Sequence, residues 1–165
     1  MEENGSCYIR PAKPEEWDDA MSLAWRTFQK FEADDYTKEG IESFLDFITD
    51  NSLRKMFLMG NYKMFVALEA EQVIGLISLR ACNHISLLFV DEKYHKKGIG
   101  RALIDYAAEY VLNREKRLFC TVNAAPYAVG FYHRVGFTDT AEETENTGIR
   151  YTPMVLNIQG KKKNG

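Results

Sequence analysis

Apolar residues along this chain follow two rhythms: short, nearly continuous runs, and a repeat of about three to four residues. The runs at 64–68, 73–79 and 85–90 are rich in Val, Ile, Leu and Phe and read as buried strands. Residues 69–72 join the first two as a hairpin-type connection. A short strand is expected at 8–10. Pro14, Glu15 and Glu16 then open a helix, because proline suits a first turn that needs no amide donor and acids suit its positive end. Trp17, Met21, Ala24, Trp25 and Phe28 keep helical spacing behind them. A second helix is expected from Thr37, with Ile41, Phe44, Leu45 and Ile48 as its buried stripe. Leu103, Ala107 and Val111, beside Ile104 and Ala108, mark a helix over 98–114. A strand at 118–122, a short helix at 127–134 and a last strand at 154–158 complete the order. Pro153 cannot donate to a ladder, so the last strand either begins after it or turns it to an unpaired side.

Successive strands without a crossover helix imply antiparallel pairs, and the later strand–helix–strand unit implies a parallel one. The expected fold class is therefore α/β of the α+β type, with a mixed, mostly antiparallel central sheet and helices on both faces. Residues 1–160 are expected to form one domain and 161–165 a disordered basic tail.

Charge adds a constraint. The net charge of −3 over 165 residues argues against a nucleic-acid partner. No apolar stretch is long enough to cross a bilayer, and the N-terminus lacks the pattern of a signal peptide. Cys7, Cys82 and Cys120 are widely spaced and read as reduced, partly buried thiols of a cytoplasmic protein. Residues 1–50 carry 13 acids against 5 bases, and residues 51–165 carry 11 against 16. The basic excess includes Lys93, Lys96, Lys97 and Arg101 around a glycine pair. Either the two halves serve ligands of opposite charge, or both are solvated faces.

The chemistry concentrates where the 85–90 strand runs through a loop into a helix, at His95-Lys96-Lys97-Gly98-Ile99-Gly100-Arg101. Glycines let the backbone approach a ligand, and the first helix amides point outward with the positive dipole end behind them. A phosphate or pyrophosphate fits such a place. The spacing is neither that of a P-loop nor that of a dinucleotide fingerprint. Further on, Asn123, Ala128, Phe131-Tyr132 and Gly136-Phe137 follow a strand and occupy a short helix. Taken alone, Phe131 and Tyr132 read as core packing.

Together these segments resemble the GNAT superfamily of acetyl-CoA-dependent N-acetyltransferases. The family's phosphate loop, Gln/Arg-x-x-Gly-x-Gly/Ala, is matched by His95 through Gly100, with His95 as the departure. Its later Asn…Ala…Phe-Tyr…Gly-Phe pattern is matched by Asn123, Ala128, Phe131-Tyr132 and Gly136-Phe137. The resemblance covers roughly residues 63–158. It implies acetyl transfer from acetyl-CoA to a primary amine by direct attack in a ternary complex, without a metal. It implies that Leu88 and Val90, with Phe89 between them facing away, hold the pantetheine arm. His95, Lys96, Lys97, Gly98, Ile99, Gly100 and Arg101 would hold the pyrophosphate, and Asn123 would contact the pantetheine or sulfur end. Tyr132 would protonate the departing thiolate, and an amide near Leu88 would support the oxyanion.

His84 is the first candidate for the base, because a free imidazole accepts a proton near neutrality; the alternative is a polar residue at the mouth of a strand. Glu32, Asp34 and Asp35 form the second group, as binders of a cationic amine or as a solvated loop. Ser86 shares the parity of His84 and would line the same side. The acceptor expected first is a small cationic amine. A protein N-terminus or lysine is the alternative acceptor, and a non-catalytic acyl-CoA-binding module the alternative function. The apolar C-terminal strand leaves a homodimer open.

Overall fold

The computed structural model describes residues 7–159. The expected basic tail, 161–165, lies outside them. Eight strands form one sheet in the order β1-β2-β3-β4-β5-β8-β6, with β7 paired to β8. The strands are β1 (Cys7–Pro11), β2 (Lys63–Glu69), β3 (Gln72–Arg80), β4 (His84–Val90), β5 (Phe119–Ala124), β6 (Thr138–Asp139), β7 (Thr144–Asn146) and β8 (Ile149–Asn157). The helices are α1 (Trp17–Phe31), α2 (Lys38–Ile48), α3 (Asn51–Leu58), α4 (Ile99–Tyr110) and α5 (Val129–Val135). Every paired neighbour is antiparallel except β4 with β5. The mixed, mostly antiparallel sheet is thus as expected. Among the described residues no helix is long and apolar enough to cross a membrane.

The sheet separates two apolar clusters. On one face α4 and α5 pack Leu103, Ile104, Ala107, Tyr132 and Val135 against Phe65, Ile77 and Val122. On the other, α1 packs Trp17, Ala20, Leu23, Ala24 and Phe28 against Met64, Val66, Leu76, Leu87 and Phe89. The α1 residues recur at three and four positions, which puts them on one stripe. The register of β3 with β4 slips between Ser78 and Leu79, leaving Ser86 as the extra residue of a bulge. Consequently Ile85 joins the α4 cluster while Leu87 and Phe89 join the α1 cluster, and Leu88 and Val90 lean on the α4 side.

Three local details differ from the sequence reading. Helix α3 was not expected; Asp50 caps it by accepting from the Ser52 amide at 2.8 Å. Its only buried residue is Leu53, whereas Met56 and Leu58 are exposed, so it carries little periodic signal. Leu45, expected in the buried stripe of α2, is also exposed. Strand β8 starts at Ile149 and runs through Pro153. The Pro153 carbonyl accepts from the Thr140 amide at 2.8 Å, just past the end of two-residue β6, so the missing donor falls where that ladder stops. Of the cysteines only Cys120 is buried; Cys7 and Cys82 are exposed, which corrects the expectation for those two.

The β7–β8 turn docks on the start of α2. Thr37 caps α2 by accepting from the Gly40 amide at 3.1 Å, and its own amide donates to the Gly148 carbonyl at 3.2 Å. Gly148 has φ +83°, and a Cβ there would overlap Thr37 Oγ1. Gly148→Ala is therefore expected to lower the unfolding free energy by about 1–3 kcal/mol and to loosen the segment between α1 and α2. Denaturant titration and amide hydrogen exchange at 33–37 measure both effects.

Candidate active site

The β4–β5 ladder has only two register pairs, His84 with Thr121 and Ile85 with Val122. Beyond them the two strands have no further register pair, and a wedge opens along Ser86–Val90. The Asp91 amide donates to the Ile74 carbonyl at 2.8 Å, on the β3 side. By alternation the polar groups of Leu88 and the amide of Val90 face the wedge. The Val90 carbonyl accepts from Nε2 of His95 at 2.7 Å.

At the end of β4 the chain turns through Glu92–Tyr94 and enters α4. Lys96 and Gly98 both take the left-handed conformation, with φ of +64° and +83°. A Cβ on Gly98 would meet nothing, so its absence serves the backbone conformation and leaves the approach to the helix end open. At Gly100 a Cβ would press on the Phe131 ring at 3.1 Å, so that glycine serves close packing of α4 on α5. The first internal bond of α4 runs from the Ala102 amide to the Gly98 carbonyl. The amides of Ile99, Gly100 and Arg101 therefore precede the ladder and point out of the helix end. Lys96, Lys97 and Arg101 are exposed around them. Arg101 also donates to the Arg134 carbonyl at the end of α5, at 3.2 Å. Oriented amides, a positive dipole end and three cations fit a pyrophosphate.

Tyr132 lies across the wedge on α5. It is 5% exposed, edge-on to Phe131 and Phe137 with ring centroids 5.3 and 5.1 Å away. Its hydroxyl has no hydrogen-bond partner among the described residues. Burial, with the Glu32 carboxylate nearby, pushes its pKa up, so the phenol stays protonated. A buried hydroxyl without a partner calls for an explanation, and a ligand atom in the wedge is one.

Glu32 follows the last residue of α1. Burial and the neighbouring Asp35 raise its carboxyl to about 7. Its charge also raises Tyr36, Tyr127 and Tyr132. Asp35 pairs with Arg150 of β8 at 3.5 Å, and Arg150 reaches Glu143 at 3.4 Å. Asp34 is exposed and is not drawn into this group. The Phe31 ring stacks on Tyr127 at 5.4 Å and meets the His95 ring at 4.9 Å. These rings come from three distant segments, and no local spacing marked Phe31, Tyr36 or Tyr127 as parts of the site. Two cavities, of about 440 and 320 Å³, lie along α1, and the second reaches Asp91, Lys93 and Tyr94 after β4.

His84 stands at the opposite, paired end of β4, about 20 Å from Val90 at roughly 3.3 Å per residue. Its Nδ1 shares a 2.8 Å hydrogen bond with Thr121 Oγ1. Burial and the nearby Arg80 lower its pKa to about 4, which makes it a weak base at neutral pH. Ser86 accepts from the Tyr62 hydroxyl at 3.1 Å on the α1 side of the sheet. Asn123 is exposed on β5, opposite Pro153. Among the described residues no group of three or more His, Cys, Asp or Glu is placed to hold a metal ion.

Comparison with known proteins gives a consistent family. The Acetyltransferase (GNAT) domain family matches residues 32–158. The peptidyl-lysine N-acetyltransferase YjaB of Escherichia coli (strain K12) is 33% identical over 94 residues, covering 56% of this chain. The chain matches about 60% of that relative's length. A GCN5-related N-acetyltransferase from Rhodopseudomonas palustris superposes with TM-score 0.77 at 24% identity, covering 92% of this chain and 96% of its own. The spermidine N-acetyltransferase of Vibrio cholerae, solved with CoA and spermine, superposes with TM-score 0.66 at 17% identity, covering 93% and 96%.

The depressed histidine can be checked directly. His84 is expected to stay neutral from pH 8 down to about pH 5 and to titrate near 4, read from its imidazole proton shifts. Because its folded pKa is below its unfolded one, the stability it contributes is full above about pH 6.5 and is lost as pH falls toward 4.

Proposed function

This chain belongs to the GNAT acetyltransferase family, and from that premise we propose that it moves an acetyl group from acetyl-CoA to a primary amine, by direct attack in a ternary complex. The observation that carries this reading is the wedge itself. It has a helix end with outward amides and exposed cations on one side and, on the other, a buried tyrosine hydroxyl without a hydrogen-bond partner among the described residues. Acetyl-CoA supplies the thioester. The amides of Ile99, Gly100 and Arg101, with Lys96 and Lys97, hold the pyrophosphate. Leu88 and the Val90 amide offer backbone groups to the pantetheine arm, and Asn123 lines the β5 side. Tyr132 donates its proton to the departing sulfur, a role that its raised pKa suits.

A covalent acetyl-cysteine route has little support. Burial raises the Cys120 thiol to about 12, so it is not a thiolate at neutral pH. Cys7 and Cys82 are exposed and belong to neither matched motif.

The acceptor we favour is a small cationic amine. Glu32 and Asp35 provide negative charge, and Phe31, Tyr36 and Tyr127 provide aromatic faces that attract an ammonium. The Vibrio cholerae spermidine N-acetyltransferase supports this choice at the level of the fold. A lysine side chain on a protein is the second reading, favoured by the likeness to a peptidyl-lysine N-acetyltransferase. Both acceptors present the same alkyl ammonium.

Release of free thiol from acetyl-CoA, measured with polyamines and lysine peptides side by side, separates the two acceptors by kcat/KM. Tyr132→Phe should lower kcat by about 10²–10⁴-fold with little change in acetyl-CoA affinity by calorimetry. An unchanged kcat would remove Tyr132 from the reaction.

A further inference from the structure

Helices α1 and α5 cover opposite faces of the sheet, since their apolar residues belong to different clusters. A sheet with an unbroken ladder would keep their side chains apart. Here they meet: Phe31 stacks on Tyr127 at 5.4 Å, and the Glu32 charge is felt at both Tyr127 and Tyr132. The contact passes where the β4–β5 ladder has already stopped. The end of α1 and the start of α5 therefore meet beyond the ladder, with Glu32 one residue from the Phe31–Tyr127 stack and Tyr132 on the helix that Tyr127 leads into.

Both groups are left without partners. Neither the Glu32 carboxylate nor the Tyr132 hydroxyl has a hydrogen bond or ion pair among the described residues. Other acids nearby are held differently: Asp35 pairs with Arg150, and Asp91 pairs with Arg26 at 2.9 Å. The surroundings push the pair toward complementary states near neutrality. The phenol is kept protonated, while the carboxyl sits at about 7, where it can both take and release a proton.

We infer that Glu32 is the proton acceptor for the incoming ammonium and works with Tyr132 as the proton donor across the wedge. This inference rests on the acetyl-transfer reading. The Glu32 carboxylate takes one proton from the ammonium, leaving a neutral nitrogen lone pair. That lone pair forms the C–N bond to the acetyl carbon, and the C–S bond breaks with its electron pair going to sulfur. Sulfur takes the Tyr132 proton. The tyrosinate is restored by the second proton lost from nitrogen, and Glu32 returns its proton to water. One amide, one thiol and one proton result. The groups facing Glu32 are Asp35 and Tyr36 from the segment after α1, and Tyr127 and Tyr132 from the α5 side. Arg150 of β8 neutralises Asp35, and the His95 ring stands one residue away against Phe31.

The test is the pH dependence of kcat/KM and kcat for the wild type, Glu32→Gln and Glu32→Asp with one diamine and one lysine peptide. The wild type should show a limb with an apparent pKa near 7. Glu32→Gln should lose that limb, and its rate should climb about tenfold per pH unit with the free amine. Its kcat should be lower by about 10²-fold or more at pH 7, and Glu32→Asp should recover part of the rate together with the limb. Folding is followed in the same samples. A carboxyl whose folded pKa lies above its unfolded one favours the fold below about pH 4.5 and loses that contribution as pH rises through 7. Glu32→Gln should therefore melt higher than the wild type above pH 7, and at about the same temperature near pH 4.5. If Glu32→Gln keeps the limb near 7, or changes only KM, Glu32 is not the proton acceptor. If the wild type releases no thiol with any amine, the acetyl-transfer reading falls, and this inference with it.

Discussion

The structure turns on a parallel ladder that stops after two pairs. Strand β5 is held along its length by β8, from Phe119 opposite Asn157 to Ala124 opposite Thr152. Strand β4 is held by β3, from His84 to Val90. Between them only His84–Thr121 and Ile85–Val122 remain in register. Backbone groups in a protein interior need partners, so a gap between two otherwise satisfied strands is a standing demand for hydrogen bonds from something else. The bulge at Ser86 lies just where the gap begins, and it re-aims Leu87 and Phe89 into the α1 cluster while Leu88 and Val90 turn to the other face.

Everything proposed for the site follows from that gap. The α4 end lies at its mouth because β4 runs straight into the loop that α4 caps with Gly98. Tyr132 reaches its rim because α5 follows β5 directly, after the Pro126–Ala128 turn. The acids of the α1–α2 segment reach it from the other face, and the β7–β8 turn pins that segment through Thr37 and Gly148. The chain's charge asymmetry has a spatial counterpart: Lys96, Lys97 and Arg101 surround the α4 end, while Glu32 and Asp35 gather at the end of α1, next to the Phe31 ring that meets His95.

Much of this was readable along the chain, where the signal was local. Buried strands 64–68, 73–79 and 85–90 announced themselves because β2, β3 and β4 sit in the centre of the sheet with both faces covered. Thr37 as a helix start and Gly98 before α4 are backbone requirements that only a few residue types meet. Helix α3 escaped because it buries only Leu53, and β8 was shortened because a proline in a strand is acceptable only where the ladder on its amide side has ended.

Sequence alone determined the fold class and the glycine motif that marks the α4 end, since each depends on periodicity or on residues a few positions apart; Tyr132 by its spacing was core packing, and only the resemblance to the family singled it out. Tertiary structure decided the environments. His84 and Glu32 are both plausible bases on paper, with ordinary pKa values on either side of the useful range. Packing moves them in opposite senses: burial beside Arg80 takes His84 down to about 4, and burial beside Asp35 takes Glu32 up to about 7. The reason is that desolvation acts on whichever form is charged, the imidazolium in one case and the carboxylate in the other. How strongly it acts depends on which distant segments close over the group, and no spacing along the chain carries that information.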